Sequence, residues 1–116
     1  MNNRFLLFIF FIVISLIKPL PALPDQIILD SEKQFQFAQH YMERGEYQRA
    51  IAELERLIYF FPEDEKVPEA GYLIGLCHLK AKEYEAARKV LFNISKKYSN
   101  QNIAGKALFL IGQFSA

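Results

Sequence analysis

Residues 35–50, FQFAQHYMERGEYQRA, return 37 positions later as residues 72–87, YLIGLCHLKAKEYEAA, and begin again as residues 109–116, FLIGQFSA. The letters change, but size and turn chemistry hold. Ala38, Gly75 and Gly112 form a series of small residues at the 37-residue step, while Phe37, Ile74 and Ile111 form a bulky one. Phe35, Tyr72 and Phe109 make an aromatic series at the same step. Gly45-Glu46-Tyr47 is answered by Lys82-Glu83-Tyr84, and three residues after each Tyr comes Ala50 or Ala87. A fixed step of this size marks stacked units, each too small to bury its apolar face alone and each closed by its neighbours. Arrays of this kind present surfaces, so the pattern points to a partner-binding scaffold.

Within each unit the apolar positions follow helical spacing. Ser31-Glu32-Lys33-Gln34 fits a capping box, in which the Ser hydroxyl satisfies a free helix N–H and the Gln reaches back. A first helix is expected from there to about Arg44, ended by Gly45 in the left-handed conformation. A second, over 47–60, places Ala50, Ile51, Leu54, Leu57 and Ile58 on one face, and Pro62 with the charged stretch 63–66 breaks it. Pro68 suits the first turn of a third helix, which runs to about Ala81. A fourth, over 84–98, lines up Ala87, Leu91, Ile94 and Tyr98; Ser99 and Asn100 break it, and a fifth spans 103–114. No stretch alternates apolar and polar residues for long enough to make a strand. The expected fold class is all-α, with antiparallel helix-turn-helix units over 31–67 and 68–104 and a partial unit over 105–116.

The start of the chain has a different character. Arg4 supplies a positive charge, and residues 5–17 are apolar except for Ser15, before Lys18, Pro19, Pro21 and Ala22. A positive end, an apolar run of this length and a small residue beyond a Pro-rich break read as a secretory signal peptide over 1–22, followed by a linker over 23–30. The alternative is an uncleaved inner-membrane anchor, although the run is shorter than the ~20 residues a spanning helix needs. Cys77 is the only cysteine, so the domain has no internal disulfide whatever its compartment. The formal charge of +1 conceals a division: residues 25–65 hold 10 acidic and 4 basic groups, and residues 66–116 hold 3 acidic and 8 basic. Neither half has the clustered Arg and Lys of a nucleic-acid footprint.

The units resemble the tetratricopeptide repeat, with its large–x2–Leu–Gly–x2–Tyr stretch, then Ala–x3–Phe, then Pro. The first unit matches at Phe37, Ala38, Tyr41, Gly45, Tyr47, Ala50, Leu54 and Pro62, and the second at Ile74, Gly75, His78, Tyr84, Ala87 and Leu91. Leu108, Ile111 and Gly112 match the first helix of a third. Gln34 and Gly71 stand where the family has a bulky residue, Lys82 where it has a turn Gly, and Ser99 where it has Pro. The extended unit and the leader make the chain similar to the repeat domains of bacterial envelope proteins such as the β-barrel assembly lipoprotein BamD and the Tol–Pal-associated coordinator.

The resemblance implies a short right-handed solenoid whose first helices line a concave face. It assigns that face to Phe35, Gln39 and Met42, then Tyr72, Leu76 and Leu79, then Phe109 and Gln113. An apolar groove with Gln at its edges suits a peptide with apolar anchors. It also implies a periplasmic or cell-envelope scaffold that binds other envelope proteins or peptides, without nucleic acid, and touches membrane only through an uncleaved N-terminal segment. The alternative roles are a self-associating structural module or the N-terminal fragment of a longer array. Both start from residues 103–116, where Lys106 is the only charge among Leu108, Phe109, Leu110, Ile111 and Phe114.

No catalytic constellation accompanies this pattern. His40 and His78 have no metal-ligand spacing, Cys77 reads as a small core residue, and Glu63-Asp64-Glu65 reads as a solvated turn. No phosphate-cradling glycine loop or nucleophile elbow occurs. The expectation is a non-enzymatic protein with no cofactor and no metal.

Overall fold

The computed structural model describes residues 3–17 and 30–115. Among the described residues all regular structure is helical: α1 (Asn3–Leu16), α2 (Ser31–Glu43), α3 (Tyr47–Phe60), α4 (Val67–Lys80), α5 (Tyr84–Lys97) and α6 (Asn102–Ser115). The all-α class holds, and α2–α6 fall within two residues of the five segments read from periodicity. The apolar N-terminal run forms α1, none of whose residues is buried. Among the described residues no helix is long and apolar enough to cross a membrane. The expected cleavage after Ala22 and nearly all of the linker over 23–30 lie outside the described residues.

Consecutive helices from α2 to α6 pack against one another, and α6 also reaches α4. Among the described residues the buried ones all lie between Gln34 and Ala107, so α2–α6 hold their cores without help from α1. One core gathers Phe35, Ala38, Ala50, Leu54, Leu57, Ala70, Ile74 and Cys77 from α2, α3 and α4. The other joins Leu91 and Ile94 of α5 to Ala107 of α6. Burying each Leu or Ile contributes roughly 1.5–3 kcal/mol, which short helices need because they are marginal alone.

The backbone repeats along with the sequence. Gly45 N–H donates to Met42 O at 3.0 Å and Glu46 N–H to Tyr41 O at 2.8 Å; 37 residues on, Lys82 donates to Leu79 O at 2.9 Å and Glu83 to His78 O at 2.8 Å. Both pairs make a Schellman motif, which needs a left-handed residue just past the helix. Gly45 takes it at φ 74°, and Lys82 is held there at φ 63°. A residue with a Cβ accepts this geometry at a cost of roughly 1–2 kcal/mol. The turn is thus dictated by the packing on either side and not by a glycine.

The start of α2 differs from expectation. Asp30, not Ser31, is the cap: its backbone is extended and its carboxylate accepts from Lys33 N–H at 2.8 Å. Ser31 is already helical, and its hydroxyl donates to Asp64 Oδ2 at 2.6 Å. Gln34, instead of reaching back to the cap, is buried and donates to Glu53 Oε2 on α3 at 3.2 Å. Asp and Ser are comparable caps, and with the Ser31 hydroxyl committed to Asp64 the Asp30 carboxylate takes the helix N–H. The acidic turn is likewise not merely solvated, since Asp64 also accepts from Lys66 N–H at 2.9 Å.

Candidate functional site

Small residues decide how closely the helices approach. A Cβ on Gly75 would lie 2.5 Å from Leu91 Cδ2 and 2.6 Å from its Cγ, and one on Gly71 would collide with Ile94. Ile94 therefore occupies the volume that a bulky residue at position 71 would otherwise fill. Ala38 is fully buried in the same role one unit earlier. Gly112 departs from the series: it is exposed, and a Cβ there would meet nothing within 4 Å. It does not serve helix packing, because no helix among the described residues stands against that side of α6.

The residues assigned to a concave face divide into three groups. Phe35 is 7% exposed and belongs to the first core, so it is packing and not part of a groove. Met42 is half-buried against that core, and Tyr72 is half-buried against the second. Leu76 and Leu79 on α4 are half-buried yet belong to neither core. Gln39 and Gln113 are exposed, and Phe109 is 69% exposed. The aromatic series is thus graded. Phe35 shares its core with α3 and α4, and Tyr72 shares its own with α5 and α6, whereas Phe109 has no later helix among the described residues.

Charged groups tie elements together. Lys66 Nζ lies 2.9 Å from Glu32 Oε2, which fastens the first turn of α2 to the α3–α4 loop beside the Ser31–Asp64 bond. The Lys66 contact holds the Glu32 carboxyl below its ordinary range, and the Ser31 hydroxyl does the same for Asp64. The Glu32 contact raises Lys66. Glu83 at the start of α5 accepts from Gln48 of α3 at 3.0 Å and lies 3.2 Å from His78 Nδ1 on α4. His78 thereby occupies the site of a packing Tyr as a polar link between three elements. Burial pushes the Cys77 thiol up to about 11, so little thiolate forms at neutral pH. Among the described residues no group of three or more His, Cys, Asp or Glu could hold a metal ion.

Sequence reading passed over the outer side of the last helix pair. Glu85, Arg88, Lys89 and Phe92 of α5 line a cleft of about 380 Å³ with Ile111 of α6. The Arg88 guanidinium sits 5.5 Å from the centre of the Phe114 ring, which in turn lies 6.1 Å from Tyr84. Phe92 and Leu108 are both substantially exposed. Phe92 was legible only as an apolar residue off its helix's core stripe. Neither a protein-family model nor a curated protein matches this chain.

Proposed function

We propose that the chain is a non-enzymatic, tetratricopeptide-type interaction module of the bacterial cell envelope, which binds an apolar peptide or partner segment along α2, α4 and α6. The observation that carries this reading is the state of Leu76 and Leu79. They are two apolar side chains one turn apart, half-buried and outside both cores. Exposed Gln39 and Gln113 supply hydrogen-bonding groups at the edges, and half-buried Met42 and Tyr72 extend the apolar floor. A partner with a few apolar side chains on an extended or helical backbone matches such a strip. The repeating backbone turns at Gly45 and Lys82 support the stacked geometry that would curve the strip into a groove.

The test is a double charge substitution, Leu76→Glu with Leu79→Glu. Affinity purification from envelope extract should recover a partner with the wild-type protein and lose it with the variant, while circular dichroism is unchanged. Retention of every captured protein by a well-folded variant would rule the strip out. If helicity collapses, Gln39→Lys with Gln113→Lys, both at exposed positions, serves as the second variant, and undiminished capture then counts against the groove.

A further inference from the structure

α6 is apolar nearly all round, yet it is buried on one side only. Ala104 and Ala107 face the cores, with Ile103, Leu110, Ile111 and Phe114 packed around them. On the opposite side Gly105, Leu108, Phe109 and Gly112 fall at i, i+3, i+4 and i+7, which is one stripe of a helix. Leu108 is 52% exposed and Phe109 is 69% exposed, and both glycines open on empty space. Lys106, the only charge of α6, stands roughly 100° round the helix from Gly105, at the margin of the stripe. A helix that is apolar all round is normally covered on all sides.

The stripe is its own complement. Read in either direction it runs small, large, large, small, so a second α6 laid antiparallel sets Gly105 opposite Gly112 and Leu108 opposite Phe109. Helical side chains lean toward their own N-terminus. Phe109 of one copy therefore leans back over its own Gly105 level, where the other copy's Gly112 leaves room. The two-fold axis repeats the fit, as an isologous contact requires. Head-to-tail stacking lacks this match, because the outer side of α2 offers Lys33 and Arg44 around Phe37, and these charges would be desolvated against Leu108 and Phe109.

We infer that α6 is a homodimer contact, in which a second copy of this chain docks antiparallel through Gly105, Leu108, Phe109 and Gly112. A helix ~21 Å long and ~10 Å across has a footprint of roughly 200 Å² on each copy, about 400 Å² in total. That falls short of the ~1,200–2,000 Å² of stable complexes, so the dimer is a weak, reversible one whose population rises with concentration. It uses neither Leu76 nor Leu79 and does not depend on the proposed groove.

The test is sedimentation equilibrium on residues 30–116, which include every buried side chain among the described residues. The expected result is a monomer–dimer equilibrium across about 5–500 μM. Phe109→Glu and Gly112→Leu should each weaken it at least tenfold with circular dichroism unchanged, since both positions face open space. A monomer at every concentration overturns the proposal, as does open-ended association. So does a dimer indifferent to both substitutions, because another surface would then be holding it.

Discussion

Gly75 and Gly112 are the same residue at the same place in the repeat, yet the surroundings give them opposite signs. Replacing a helix-interior glycine by alanine gains roughly 1 kcal/mol of backbone propensity wherever the methyl group fits. At Gly112 it fits, since nothing lies within 4 Å. At Gly75 the methyl would press on the branch carbon of Leu91, which is itself fully buried and has no free volume to move into. Overpacking of that kind costs about 1–3 kcal/mol. Gly112→Ala should therefore raise the melting temperature of dilute protein, and Gly75→Ala should lower it. For a domain of this size each kcal/mol corresponds to about 4–8 °C, well within the reach of thermal circular dichroism. Two upward shifts would mean that propensity alone governs both sites. The period finds all three members of the series, but period is blind to whether a neighbour exists. That is why the series alone does not tell Gly75, which lets α5 approach, from Gly112, which faces open space.

The helices themselves were the most legible part of the chain, because each carries four or more apolar residues at a spacing that only a helix satisfies. Their ends were less so. Asp30 and Ser31 are adjacent, both are good caps, and a preference between them is settled by what else each can reach. Here Ser31 is drawn off by Asp64, 33 residues away, a contact that no local pattern announces. The same clasp makes the docking of α2 depend on pH. Glu32 and Asp64 titrate below their ordinary values in the folded protein, so their contribution is fully present above the ordinary carboxylate range near pH 4 and is lost as pH falls through the folded values. Lys66 is raised, so its share is present below its ordinary value and is lost only as the medium turns strongly alkaline. Glu32→Gln should lower the melting temperature at pH 7 relative to wild type. The gap should close as pH falls through the folded value of Glu32, below which both proteins carry an uncharged side chain there. A gap that persists in acid would assign the loss to packing and not to the Lys66 contact.

Across the whole molecule, burial is uneven along the chain. α4 buries Val67, Ala70, Gly71, Ile74, Gly75 and Cys77, while α6 buries only Ala104 and Ala107. α4 also sits between α3 and α5, whereas α6 has α5 along one side and touches α4 only lightly. In a chain of stacked elements, stability is close to a sum of nearest-neighbour interfaces, so the element with one full interface opens first. Amides in the middle of α6 should exchange with deuterium at least tenfold faster than those of α4 in dilute protein, a difference of about 1.4 kcal/mol in opening free energy. The sequence alone suggests the reverse, since residues 103–116 are among the most apolar of the repeat region. Apolar character promotes stability only where a second surface receives it, and Leu108 and Phe109 have none among the described residues. A partner copy would supply that surface. Protection of α6 should then rise with protein concentration over the micromolar range while that of α3 stays constant, because ligation stabilises only what it touches before global unfolding takes over. Exchange measured at about 5 and 500 μM decides the matter. Protection of α6 that equals α4 at both concentrations would contradict the uneven-burial account. Slow exchange appearing only at the higher concentration would show that α6 is completed by association.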